Sequence, residues 1–165
     1  MIIEDATDAA IPVITAIYND AVLHTTAIWN ESVVDEEDRH QWLAARRAEG
    51  QPVLVALDED RDVLGYATYG DWRAWEGYRY TAEHSVYVRG DQRGRGVGKA
   101  LMVALIDRAR EAGKHVLVAG IDAANEPSLR MHEKLGFERV GLLPQVGRKF
   151  DRWLDLAFVQ LTFEH

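Results

Sequence analysis

No cysteine occurs in the chain, which rules out a disulfide framework, a thiolate zinc site and a cysteine nucleophile. Proline is scarce, four in 165 residues, and no apolar run reaches the length that crosses a bilayer. The first residues, Met1-Ile2-Ile3-Glu4-Asp5, lack the basic and apolar regions of a secretion signal. Basic charge is in deficit: 19 Lys and Arg stand against 27 Asp and Glu, a formal net charge of -8. A general nucleic-acid binder shows a broad basic face, so neither nucleic acid nor membrane is an expected partner. Repeats, low-complexity tracts and linkers are absent as well. What remains is an ordinary globular composition, 47% hydrophobic and 28% charged, and the expectation is one cytoplasmic domain over residues 1–165.

Against that acidic background, residues 85–105 stand out. A β-rich segment ends at Val88, a glycine and arginine loop follows, and Val97, Leu101, Ala104 and Leu105 then recur at helical spacing. This is a strand, a glycine loop and a helix. The helix start has no capping side chain, so its first N–H groups are free, and the helix N-terminus attracts anions. Arg89, Arg93, Arg95 and Lys99 surround the loop, opposed locally by Asp91. Phosphate is the expected ligand. A P-loop fails, because Arg93 stands at its first glycine and Ala100 at its magnesium-binding hydroxyl. The dinucleotide pattern fits Gly94 and Gly96 but places Lys99 at its third glycine. A third pattern, Arg/Gln-x-x-Gly-x-Gly/Ala, is met in full by Arg93, Gly94, Arg95, Gly96, Val97 and Gly98.

The rest of the chain alternates strands and helices. Ile2-Ile3 reads as a short strand. Thr7 or Asp8 is placed to cap a helix that buries Ile11, Ile14, Ile17, Tyr18 and Val22. Residues 24–31 have no period. Asp35 caps a second helix, which stops at Gly50. Residues 53–57 and 63–69 are strands joined by a polar turn. Residues 71–80 form a loop dense in aromatics and arginine, including Trp72, Arg73, Ala74, Trp75 and Arg79. It reads either as an aromatic flap or dimer contact, or as a pocket wall where an arginine holds a carboxylate. Residues 81–88 form a strand with Glu83, Ser85 and Tyr87 on one face and His84, Val86 and Val88 on the other. Strands disfavour Glu, so Glu83 is either in a sheet-face salt bridge or facing a cleft. After the glycine-loop helix ends at Gly113, residues 115–121 read as a strand covered on both faces. Asn125 caps a helix that carries Ser128, Leu129, His132 and Leu135 on one face. Residues 137–146 and 153–163 are two further strands, joined through residues 147–152. The predicted order is β-α-α-β-β-β-α-β-α-β-β, an α/β fold with a mixed sheet of about seven strands and helices on both faces.

The glycine loop, with Asn125-Glu126-Pro127-Ser128 and His132-Glu133-Lys134-Leu135-Gly136-Phe137, resembles the GNAT superfamily of N-acetyltransferases, whose acetyl-CoA pyrophosphate loop has the third pattern above. Trp72-Arg73, Glu83 through Val88, Ala119-Gly120-Ile121-Asp122, Arg130-Met131-His132-Glu133 and Val146 through Phe150 are similar to its phosphinothricin and methionine sulfoximine acetyltransferase branch. The resemblance spans essentially the whole chain. It departs at residues 28–29, where Ile28-Trp29 stands in place of the branch's phenylalanine.

The resemblance implies a mechanism and a set of site residues. Acetyl-CoA is the co-substrate. Its pantetheine arm pairs with Val86, Tyr87 and Val88. The pyrophosphate rests on Arg93, Gly94, Arg95, Gly96, Val97, Gly98 and Lys99, while Asn125 and Ser128 bind from the other side. Glu83 is the base that frees the acceptor amine. His132 occupies the position where many relatives have a proton-donating tyrosine, and it either donates a proton, orients its neighbours or packs as an ordinary helix histidine. Arg73, Ala74, Trp75, Glu83, His84 and Ser85 contact a small amino-acid analogue, with Arg73 or Arg79 on its carboxylate. A homodimer is implied, with Trp72, Trp75 and Tyr78 suited to its interface. The rivals are an acetyltransferase for protein N-termini or polyamines, and a non-catalytic CoA-binding module. No metal is expected: His132-Glu133 opens an H-E-x-x-H pattern, but Gly136 stands at its second histidine. A G-x-S-x-G nucleophile elbow is absent too.

Overall fold

In the computed structural model, residues 1–164 are described. The chain forms β1 (Ile2–Asp5), α1 (Ile11–His24), α2 (Glu36–Ala48), β2 (Val53–Leu57), β3 (Val63–Asp71), β4 (Thr81–Val88), α3 (Val97–Glu111), β5 (Val116–Asp122), α4 (Glu126–Lys134), β6 (Glu138–Lys149) and β7 (Arg152–Thr162). Seven strands make one sheet in the order β1-β2-β3-β4-β5-β7-β6. Every neighbouring pair is antiparallel except β4 with β5. The predicted element order and mixed sheet are therefore observed.

The sheet is covered on both faces. One face packs Ala82, Leu117, Val159 and Phe137 against Leu101, Met102 and Leu105 of α3 and Leu129 of α4. The other packs Val53, Val55, Leu57 and Tyr66 against Ile11, Ile14 and Ile17 of α1 and Leu43 of α2. Truncating a fully buried leucine such as Leu101 to alanine removes about 2–5 kcal/mol. The helix ends follow local chemistry. Asp35 accepts the Asp38 N–H at 2.8 Å. Beyond α3, Gly113 takes a left-handed conformation (φ 80°) that a side chain would resist.

Three expectations are corrected. Neither Thr7 nor Asp8 caps α1: a 3-10 turn over Asp8–Ala10 precedes it, and α1 begins at Ile11, with Pro12 in the first turn where a missing N–H breaks no helix bond. Strand β3 runs two residues further than expected, to Asp71, because β4 pairs with it that far. The expected six-residue link between the last strands is a two-residue turn. Phe150 and Asp151 both have positive φ (52° and 58°), the twist a tight hairpin needs, although Phe is a poor signal for it.

One feature of the pairing positions the site. Strand β4 pairs with β3 along its length, from Ala82 opposite Asp71 to Val88 opposite Gly65. It pairs with β5 only through Thr81, Ala82 and Glu83. Past Glu83 the two parallel strands separate, and the β5-facing edge of β4 is left open.

Candidate active site

The open edge offers backbone groups. The Arg89 N–H donates to the Leu64 carbonyl at 2.8 Å, on the β3 side. Peptide groups alternate along a strand, so those of Val88 and Val86 point the other way, into the gap. Their side chains pack on the α3 face, while Tyr87 turns to the α1 face beside Tyr66 (ring centroids 5.3 Å apart).

The glycine loop meets this edge. Gly96 precedes α3 at φ 79° and supplies no side-chain cap. The Ala100 N–H makes the bond back to Gly96 (3.0 Å), which leaves the leading amides of Val97, Gly98 and Lys99 without an intrahelical acceptor. A Cβ on Gly98 would lie 3.4 Å from Met131 Sδ and 3.5 Å from Val88 Cγ2, so the loop, α4 and the end of β4 converge at this point. The Val97 side chain is core. Arg89 is turned away from the cluster of basic residues expected to face a phosphate. It forks onto Asp91 (2.6 and 3.2 Å) and donates to the Val63 carbonyl (3.0 Å), bracing the loop itself. That pairing takes up Asp91, the acidic residue within the loop, and leaves Arg93, Arg95 and Lys99 exposed around the amides. Across the gap, the Asn125 side-chain oxygen accepts the Ser128 N–H (3.3 Å), which leaves the Asn125 NH2 group to face outward chemistry.

Glu83 stands where β4 and β5 part. Its side chain is exposed, yet the surrounding protein is dense enough to raise its carboxyl above the ordinary range by desolvation, with Arg46 opposing. A base of raised pKa holds a proton more strongly, which suits deprotonation of an ammonium.

His84 and His132 meet on the opposite face of β4. Their rings stack (centroids 5.1 Å, 21° between planes), and their Nε2 atoms lie 2.9 Å apart. Phe137 flanks both rings. The tautomers follow from the hydrogen bonds. His132 Nδ1 is 2.8 Å from the Ser128 carbonyl, which only accepts, so Nδ1 carries the hydrogen. Neutral His132 then accepts at Nε2, and His84 donates from its own Nε2. His84 Nδ1 is left bare, buried and without a partner. Burial, aided by His132, depresses the His84 pKa to about 3, and burial also lowers that of His132. Both nitrogens of His132 are thus engaged, and it presents no free N–H to the gap. Of the roles open to it, this arrangement favours orienting its neighbours.

Arg73, Ala74 and Trp75 stand exposed just past the end of β3. Trp72 anchors this loop by meeting Phe158 edge-on (5.5 Å). Arg73 lies 5.6 Å from the Trp72 ring, and Arg79 turns back on its own loop, donating to the Glu76 carbonyl (2.9 Å) and covering Tyr80 (4.6 Å). Ser85 shares the Glu83 face and is half-buried.

Sequence reasoning missed a second anchor. Lys149, 1% exposed, donates to the carbonyls of Thr25 (2.7 Å) and Ile28 (2.5 Å), with Ala21 at 3.4 Å. It joins the end of α1 and the aperiodic segment after it to β6. Trp29 packs where a side chain on Gly147 would be, 2.3 Å from its ideal Cβ, and Thr26 donates to Asp122 at the end of β5. The one available signal was a glycine two residues before a lysine at a strand end. A hollow of about 410 Å³ lined by Gln51, Tyr69, Arg108 and Glu111 lies at the far end of α3 from the glycine loop. Asp5 already holds its Arg108 (2.9 and 2.7 Å), and neither Glu83 nor the open strand edge reaches it.

Residues 14–137 match the Acetyltransferase (GNAT) family. The chain belongs to the GNAT family of acetyltransferases. This GNAT chain is 58% identical over 162 residues to the L-methionine sulfoximine/L-methionine sulfone acetyltransferase of Pseudomonas paraeruginosa, covering 98% of this chain and 94% of the relative. It is 37% identical over 149 residues to the phosphinothricin N-acetyltransferase of Streptomyces coelicolor, covering 89% and 87%. Its fold superposes on Salmonella typhimurium yncA, solved with its cofactor acetyl-CoA, at a TM-score of 0.97 with 53% identity, covering 100% of this chain and 95% of that one. The GNAT assignment agrees with an open β4 edge beside a glycine-led helix. Among the described residues no group of three or more His, Asp or Glu converges as a metal site, and no helix is long and apolar enough to cross a membrane.

Proposed function

We propose that this GNAT enzyme moves the acetyl group of acetyl-CoA to the α-amino group of a small amino-acid analogue: methionine sulfoximine, methionine sulfone or phosphinothricin. The observation that carries the reading is the parting of β4 from β5 at Glu83, which sets a base beside unpaired backbone amides and the bare start of α3. The names of the relatives supply the acceptor class.

The residues fit an acetyl-CoA ligand. Val86 and Val88 present strand hydrogen bonds to an amide-bearing pantetheine arm. The amides of Val97, Gly98 and Lys99, with Arg93 and Arg95, suit a diphosphate. Asn125 and Ser128 close the other side. An α-ammonium is mostly protonated at neutral pH and cannot attack. Glu83 takes its proton, directly or through water. The neutral nitrogen then attacks the thioester carbon, and the carbonyl electrons form an oxyanion steadied by the β4 amides. The nitrogen gives its second proton to solvent, collapse breaks the C–S bond to leave the neutral amide, and the departing thiolate takes a proton from solvent. His132 orients His84 and the α4 side of the gap. Arg73, Ala74, Trp75 and Ser85 complete the acceptor surroundings in this reading; His84, expected among them, is instead buried on the opposite face of β4 against His132.

The working unit is a cytoplasmic homodimer. The exposed Val140, Leu142 and Val146 of β6 and Trp153 of β7 support this, since an edge strand so apolar suits a second copy. Trp75 (70% exposed) and Tyr78 extend the apolar surface.

The test is release of free thiol from acetyl-CoA across a panel of amino-acid analogues, polyamines and short peptides. Methionine sulfone, methionine sulfoximine or phosphinothricin should give the highest kcat/KM. Preference for a polyamine or peptide would replace the acceptor class, and no uptake of coenzyme A in calorimetry would end the reading altogether.

A further inference from the structure

Arg46, near the end of α2, crosses β3 to lie beside Glu83. Its Nη1 donates to the Tyr69 carbonyl and to Gln51 Oε1, both at 3.1 Å. It passes over Gly70, whose missing side chain makes the space. A Cβ there would be 1.9 Å from Arg46 Nη1, 2.9 Å from Cζ and 3.1 Å from Nη2. Gly70 is the cross-strand partner of Glu83. Partners in an antiparallel pair project to the same face, so the guanidinium occupies the position directly across from the Glu83 side chain.

Besides those hydrogen bonds, Arg46 Cζ lies 5.9 Å from the Trp42 ring. Arg46 makes no ion pair among the described residues, and its buried Nε has no hydrogen-bond partner. Nη2 makes no hydrogen bond there either. The acidic charges acting on it are Asp71, which Gln51 Nε2 holds at 3.1 Å, and Glu83; Arg39 opposes them from α2. A half-buried guanidinium with no ion pair and with Nε unbonded is costly, and a strand glycine that admits it marks a close approach. An α-amino acid supplies what is missing. Its amine and carboxylate are separated by one carbon, so an amine at Glu83 brings the carboxylate within the neighbourhood of the guanidinium. The other two candidates are less well placed: Arg79 is bound to its own loop, and Arg73 lies against Trp72.

We infer that Arg46, admitted over Gly70, binds the acceptor's α-carboxylate while Glu83 receives its amine. This rests on the amino-acid acceptor proposed above. It makes the enzyme a reader of α-amino acids rather than of amines in general, through a charge-assisted pair that an amine lacking the carboxylate does not form.

The test compares methionine sulfone with its decarboxylated counterpart, 3-(methylsulfonyl)propylamine, in the thiol-release assay. Wild type should favour the amino acid. Arg46→Gln should raise the KM for methionine sulfone about tenfold or more, leave the KM for acetyl-CoA unchanged, and abolish the preference over the amine. Arg46→Lys, which keeps charge without the fork, should fall between. Gly70→Ala should copy Arg46→Gln with the charge still present, because its Cβ displaces the guanidinium. Should Arg46→Gln not fold, the lysine and alanine variants carry the same comparison. Unchanged preference in these variants, with wild type favouring the amino acid, overturns the Arg46 assignment and leaves the acceptor class standing. A wild type that takes the amine equally well overturns the acceptor reading and the Arg46 assignment together.

Discussion

Lowering the pH should destabilise this protein through His84. The residue is 3% exposed and its pKa is depressed from 6.5 to about 3. Between those values the unfolded chain binds a proton that the folded chain refuses. Stability from this site is therefore complete above pH 6.5 and is lost as pH falls. Going from pH 7 to pH 5 should remove about 2 kcal/mol through His84 alone, at about 1.4 kcal/mol per pH unit once the unfolded imidazole is charged. For a chain of this size that is a fall in Tm of about 4–8 °C. His132, lowered in the same direction, adds to the loss. Glu83, with a raised pKa, contributes in the opposite sense, and Asp5 and Asp91, lowered by Arg108 and Arg89, matter only under more acid conditions. The assay is denaturant unfolding at pH 5, 6 and 7 for wild type and His84→Gln, whose amide keeps a donor toward His132. Terms common to both proteins cancel in the difference of slopes. The variant should bind about one proton fewer on unfolding between pH 5 and 6. Equal slopes, or an imidazole of His84 that titrates near 6.5 in the folded protein, would refute the reasoning.

Three further outcomes are expected. Glu83→Gln should retain acetyl-CoA affinity and lose most turnover, and wild-type kcat/KM should rise with pH through a limb above the ordinary carboxylate range; unchanged turnover removes Glu83 from the mechanism. Arg93→Ala should raise the KM for acetyl-CoA about tenfold and leave the acceptor's unmoved, and an equal effect on both would count against a phosphate role. Lys149→Met leaves the Thr25 and Ile28 carbonyls unpaired, so it should cost about 2–3 kcal/mol in denaturant unfolding and raise the acceptor's KM more than the cofactor's; a stability loss with both KM values intact would make Lys149 a scaffold residue alone.

Much of this was legible in the chain itself because it is local. The glycine loop announces a helix start without a cap, and Gly96 at φ 79° has that geometry. Strand β4 runs over Thr81–Val88 as its alternation predicts, with Glu83 and His84 on opposite faces. Asp35 and Asn125 cap the helices they precede. Periodicity and capping involve neighbours a few residues apart, so composition and spacing are enough to read them.

Tertiary structure decided what the site contains. Sheet order places β5 beside β4 for three residues and then lets them part, an event no stretch of either strand records. His84 and His132 lie 48 positions apart and share one hydrogen bond, which sets both tautomers and, with the Ser128 carbonyl, engages both nitrogens of His132. Arg46 reads in the chain as one more basic residue at a helix end, and Lys149 as a polar residue near a turn. Only packing across Gly70 brings the first beside Glu83, and only the β6–β7 hairpin carries the second under the carbonyls after α1. The chain determined its elements and its glycine loop through short-range sterics and hydrogen bonds. Which charges face which was left to the fold, because electrostatic and hydrogen-bond partners are chosen by distance in space.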